Sequence, residues 1–72
     1  MAIPKVRLQL AQCLRKHRTK LKLTQEQAAE LAGMDIRYYQ RLESKAPNAI
    51  KIDTLDRVAK AFKTTPSKLL DF

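Results

Sequence analysis

The 72-residue chain has one cysteine, one glycine, three prolines, one histidine and no tryptophan. A lone cysteine, Cys13, cannot close an internal disulfide, so nothing calls for an oxidising compartment. One histidine and one cysteine do not make a metal site, and neither clustered carboxylates nor a glycine-rich phosphate loop accompanies them. No metal, no cofactor and no enzyme activity are therefore expected. No apolar run approaches the ~20 residues that cross a bilayer, and the start MAIPKVRLQ lacks the apolar core of a signal peptide. A cytoplasmic protein with no membrane association is the expectation. Few glycines and prolines mean few interruptions, which favours helix throughout. Acids are scarce too: 7 Asp and Glu stand against 15 Lys and Arg, for a net charge of +8. That imbalance points to a polyanionic partner, most simply nucleic acid.

What is present is one domain, residues 1–72, whose 44% hydrophobic content suffices for one core but not for two layers around a deep cleft. Helix signals are densest over residues 24–44, TQEQAAELAGMDIRYYQRLES. Thr24 caps a helix start, and Gln27 three residues on completes a capping box. Ala28, Leu31 and Ala32 form the inner face, where alanines let a neighbouring helix approach closely. Gly33 falls where a left-handed residue ends the helix. Asp35 caps a second helix with Tyr39 and Leu42 inward and Met34 packing in the turn. To solvent that helix presents Ile36, Arg37, Tyr38, Gln40 and Arg41, and Glu43 is its only acid after the cap. Arginines without a local partner suit guanine edges or phosphates.

On either side of this stretch the pattern stays helical. Pro4 begins a first helix that runs to about Lys20, with Val6, Leu10, Leu14, His17 and Leu21 as its apolar stripe. His17 reads as a packed histidine with one hydrogen-bond partner, and Cys13 as a small residue at the stripe's edge. After a loop at residues 44–51, a helix from Ile52 to about Phe62 buries Leu55, Val58, Ala59 and Phe62. Thr65 and Pro66 cap and open a short last helix whose apolar residues are Leu69, Leu70 and Phe72. The fold class is all-α, a compact domain of five helices.

Gln25 opens the second helix, Ala29 and Gly33 stand four apart, Tyr39 and Leu42 follow, and Arg41-Leu42-Glu43 closes the motif. On these residues the stretch from about Leu10 to Leu70 resembles the Cro/CI-type helix-turn-helix proteins, the phage-repressor-like family also called XRE. The resemblance implies a lambda-repressor-like domain that binds double-stranded DNA sequence-specifically and regulates transcription. It further implies a homodimer on a palindromic operator, with helix 35–44 in the major groove. Arg18 is implied to pair with Glu43, a structural ion pair, and Gln25 to brace the DNA backbone. Ile36, Arg37, Tyr38 and Arg41 are the candidates for base contact, Arg41 foremost for bidentate guanine reading and Arg37 for guanine or phosphate. Gln40, Lys22, Lys45 and Asn48 join Gln25 as candidates for phosphate contact, Lys22 being otherwise part of a solvated face. Ile50 either tucks into the core or meets a second subunit; at the end of the chain either Leu69, with Leu70, closes the core or Leu70 or Phe72 joins a dimer contact.

Two features depart from the family pattern. His17 stands where an aliphatic residue is usual, and the loop is about one residue longer, with Lys45 where a glycine is common. The same fold also serves as a protein- or RNA-binding module, ribosome-associated or antitoxin-type with a toxin as partner, and such a module would select no palindromic DNA.

Overall fold

The computed structural model describes residues 2–72, and each sequence signal for a helix start or stop has a counterpart in it. The helices are α1 (Lys5–Lys20), α2 (Gln25–Ala32), α3 (Ile36–Leu42), α4 (Ile52–Ala61) and α5 (Pro66–Leu69), with no strand among the described residues. Thr24 and Gln27 form the reciprocal capping box: Gln27 N–H donates to Thr24 Oγ1 at 3.0 Å and Thr24 N–H to Gln27 Oε1 at 2.9 Å. Asp35 and Thr65 cap α3 and α5 by accepting from the Arg37 and Lys68 amides. Pro4 stands one place earlier than expected, as the N-cap of α1. No described helix is long and apolar enough to cross a membrane, and no described group of His, Cys, Asp and Glu could hold a metal ion.

Three helices end in the same way, although only one of the three ends is visible in the sequence. At the end of α1, Leu23 N–H reaches the Arg18 carbonyl and Lys22 N–H reaches Thr19. After α2, Met34 reaches Ala29 and Gly33 reaches Glu30; after α4, Thr64 reaches Ala59 and Lys63 reaches Lys60. These are the paired bonds that satisfy the last carbonyls of a helix, and they require a left-handed residue in the middle. Gly33 supplies it at φ 68°, but Lys22 and Lys63 supply it at 59° and 57°. A Cβ on Gly33 would meet nothing within 4 Å, so glycine is favoured there by backbone conformation alone. A lysine in that conformation carries a penalty that glycine does not, of about 1–2 kcal/mol, offset partly by glycine's greater freedom in the unfolded chain. Lys63→Gly is therefore expected to raise stability by about 0.5–1 kcal/mol, a few degrees in Tm for a domain of this size. A lowered Tm in a melting curve would contradict it.

The core gathers Leu10 and Leu14 of α1, the alanines of α2, Tyr39 and Leu42 of α3, Leu55, Val58 and Ala59 of α4, then Phe62 and Leu69. The Tyr39 and Phe62 rings meet edge to face, 6.5 Å between centroids at 82°. Helix α2 packs on α3 and α4, α1 on α3 and α5, and α4 on α5. Three expectations of burial fail. Leu31 is 59% exposed and Ala29 takes its place in the core, while Val6 and Leu21 lie outside at 52% and 41%. The inner face of α2 is thus Ala28, Ala29 and Ala32, three small side chains turned to the core on a helix that packs on both α3 and α4. Ala11 replaces Val6 and Leu21 on the buried side of α1. Leu23 and Met34, each just past a left-handed residue, fold back onto the core and tie the turns down.

Candidate nucleic-acid interface

The surface that meets nucleic acid depends on how α3 is held, and that is decided by one carboxylate. Glu43 caps the C-terminus of α3 and is 2% exposed. A bare buried carboxylate would be strongly destabilising, so its partners matter. Arg18 on α1 approaches in a fork, Nε 2.7 Å from Oε2 and Nη2 3.0 Å from Oε1. Gln25 at the start of α2 donates its amide to Oε1 at 3.2 Å, and the Tyr39 hydroxyl donates to Oε2. The remaining Arg18 nitrogen, Nη1, donates to the Leu23 carbonyl at 2.8 Å, bracing the turn between α1 and α2. Arg15 Nη2 donates to the Glu43 carbonyl oxygen at 2.6 Å. No described buried side-chain nitrogen or oxygen is left without a partner. One side chain thereby joins α1, α2 and α3 at fixed angles.

The electrostatics follow from the same contacts. Burial by itself would raise the Glu43 pKa, but hydrogen bonds from Arg18, Tyr39 and Gln25 outweigh it and hold the carboxyl below its ordinary value. Its hydrogen bond to Glu43 raises Arg18 further. Tyr39 is pushed well up, first by burial and then by the carboxylate its hydroxyl serves. Sequence reasoning paired Arg18 with Glu43 but assigned nothing to Arg15 or to the Tyr39 hydroxyl, and it sent Gln25 outward. The four-residue spacing of Tyr39 and Glu43, one turn apart on one face, was the available signal for the second.

With α3 so fixed, Arg37, Gln40 and Arg41 are exposed, and none of the three takes part in an ion pair among the described residues. Ile36 and Tyr38, expected on the solvent face, are half-buried and lean on the core, leaving only part of each side chain outside. Lys22 and Lys45 are exposed, and Asn48 is half-buried. The departure at Lys45 needs no glycine: Glu43 ends the helix at φ −94°, and the Ser44 hydroxyl donates to the Arg41 carbonyl at 2.7 Å. Ile50 packs against the core, and Leu70 and Phe72 are 39% and 50% exposed. Ile50 and Leu70 share with Val6, Ile52 and Leu55 the wall of an open apolar hollow of about 300 Å³. His17 is half-buried, and its Nδ1 lies 2.9 Å from the Cys13 carbonyl; a carbonyl can only accept, so Nδ1 is the protonated nitrogen.

The helix-turn-helix family pattern matches residues 14–69, most of the chain. No curated protein sequence matches. Among solved structures the chain is similar to the restriction-modification controller protein C.AhdI from Aeromonas hydrophila. That likeness has a TM-score of 0.83 at 28% identity and covers 88% of this chain and 94% of the other. The capped α2, the left-handed turn at Gly33, the cationic α3 and the family match lead to one conclusion: the chain belongs to the XRE, or Cro/CI-type, helix-turn-helix family of DNA-binding transcriptional regulators.

Proposed function

We propose that the protein binds a near-palindromic operator as a homodimer, with α3 in the major groove of each half-site. The observation that carries this reading is the outward side of α3. The side chains of Arg37, Gln40 and Arg41 enter no ion pair among the described residues, on a helix whose orientation the Arg18–Glu43–Gln25 cluster holds. Rigidity matters because bidentate reading of a base edge tolerates little error in placement. Arg41 reads guanine. Arg37 contacts guanine or phosphate, and the outer edges of Ile36 and Tyr38 offer a methyl contact and a hydroxyl. Gln25, whose amide keeps one N–H beyond the bond to Glu43, joins Gln40, Lys22, Lys45 and Asn48 on phosphates. The apolar hollow beside Ile50 and Leu70, with Phe72 nearby in sequence, supplies the dimer contact and draws in Val6 and Ile52, both exposed. A symmetric dimer of such domains sets its two recognition helices about 34 Å apart, one turn of DNA. Likeness to a restriction-modification controller makes control of such a system the first biological setting to examine.

Selection of bound duplexes from a random pool at near-physiological salt tests the reading, since at low salt a net charge of +8 would hold any duplex. An inverted repeat with half-sites about one helical turn apart is the expected product. Enrichment of nothing would move the weight to an RNA or protein partner. On the selected operator, Arg41→Ala is expected to cost about 1–3 kcal/mol and to relax preference at one position of each half-site. An unchanged preferred sequence would remove Arg41 from base reading.

A further inference from the structure

The open hollow beside Ile50 and Leu70 holds about 300 Å³, at the small end of the ~300–1,000 Å³ range of small-molecule sites. Seven of the eight residues on its wall are apolar, and the eighth is Arg7. Arg7 is half-buried and enters no ion pair among the described residues. No acid stands on this wall, whereas the hollows lined by Glu30, by Asp35 and by Asp71 each carry one. Two helices begin beside it: Val6 and Arg7 belong to the first turn of α1, and Ile52 opens α4. These are also the two helices without a side-chain cap, while Thr24, Asp35 and Thr65 cap the other three. The first turn of α1 has no acid, so the positive end of its dipole adds to the Arg7 charge. Asp53 of α4 is exposed and lies off the wall.

We infer that this hollow binds a small aliphatic carboxylate, its chain against Leu10, Ile50, Leu55 and Leu70 and its two oxygens on the fork of the Arg7 guanidinium. Burial of the chain supplies affinity without direction. The guanidinium supplies direction, because its planar fork matches a carboxylate and no second cation on the wall competes for it. An uncharged apolar molecule would leave Arg7 unpaired, and a small hydrophilic anion would leave the apolar wall wet. The ligand takes the surface given above to the second subunit, so the two compete, and binding releases the dimer and weakens its hold on the operator. Only that competition rests on the dimer reading; the site itself does not.

The test titrates the full, isotope-labelled chain, free of DNA, with octanoate, and follows the backbone amide shifts; octanol and acetate are the controls. Octanoate should saturate, with the largest shifts at Val6, Leu10, Ile50, Leu55 and Leu70, and should bind about tenfold tighter than octanol, the low end for one charge-assisted pair. Acetate should not saturate. From hexanoate to octanoate, affinity should rise about two- to fourfold for each methylene. Arg7→Gln keeps the apolar wall, and it should bring octanoate down to the level of octanol while leaving octanol unchanged. Equal binding of octanoate and octanol by the wild type overturns the site, as do shifts centred on the exposed Lys16 and Lys20 in place of the hollow. Sedimentation of the same samples reads the competition: octanoate should raise the dimer dissociation constant of the wild type and not that of Arg7→Gln. A dimer that binds octanoate without loosening overturns the competition. A chain that stays monomeric without ligand overturns the dimer reading, and the amide titration then decides the site alone.

Discussion

Arg18→Ala is expected to remove about 3–5 kcal/mol of folding stability, because it leaves the Glu43 carboxylate buried with Gln25, Tyr39 and, at 4.0 Å, the half-exposed Arg15 guanidinium in place of its forked partner. Arg18 and Glu43 have side chains 14% and 1% exposed, so solvent does little to soften the loss. At ~0.05–0.15 kcal/mol per residue, a domain of 72 residues holds roughly 4–11 kcal/mol in all, and the variant should be near or past the edge of folding. Urea denaturation reads the loss directly. The pH dependence separates a lost ion pair from a merely lost side chain. In the wild type the Glu43 pKa is lowered, so its contribution is fully present above the unfolded value of about 4.3 and disappears as pH falls through the folded value. Without Arg18, burial prevails and the folded pKa rises above the unfolded one, so stability should decline as pH climbs through that interval. The sign of the slope reverses. Replacing both partners together, Arg18→Met with Glu43→Leu, should recover much of the stability while leaving α3 without its orienting bonds. A loss under ~1 kcal/mol with the acid limb unchanged would mean that the cluster is ornamental. Tyr39 adds a limb at the other extreme: its raised pKa means that its contribution is present at neutral pH and is lost as pH rises past about 10.

The second large effect belongs to Leu69. Four residues are too few to be helical by propensity, and α5 exists because Thr65 caps it, Pro66 opens it and Leu69, fully buried, fastens it to α1 and α4. Leu69→Ala should cost about 2–5 kcal/mol, which for a domain of this size lowers Tm by ~10 °C or more. The adjacent Leu70, 39% exposed, gives the contrast: Leu70→Ala in the monomer should stay within about 1 kcal/mol. In a dimer built on the apolar hollow the two variants separate further, because the effect of Leu70→Ala then grows with protein concentration while that of Leu69→Ala does not depend on it. Equal, concentration-independent losses at both positions would show that Leu70 belongs to the core and would take away the proposed dimer contact.

Both predictions concern groups whose partners lie far away in the chain, and that is where sequence reading is weakest. The helix ends of α2, α3 and α5 were legible because a cap and its target are at most three residues apart: Thr24 and Gln27, Asp35 and Arg37, Thr65 and Lys68. Gly33 was legible because glycine advertises a left-handed residue. Lys22 and Lys63 hold the same conformation without advertising it, and only the packing of the following turn reveals them. On α2, residues 28, 31 and 32 make as good a helical stripe as 28, 29 and 32, and periodicity cannot choose between them. The closed core took Ala29, while Leu31 stays 59% exposed on the wall of an open hollow beside Arg57, Lys60 and Ala61 of α4.

The amino-acid sequence alone pointed to a polyanionic partner, through a charge imbalance that no folding can change. It also determined the five helices and the identity of the cationic helix, because those depend on spacings of a few residues. Tertiary structure alone decided how that helix is aimed. A carboxylate at residue 43 draws Arg18 from 25 positions back and Gln25 from 18, and the burial that makes these bonds strong exists only once α1, α2 and α3 have closed around them.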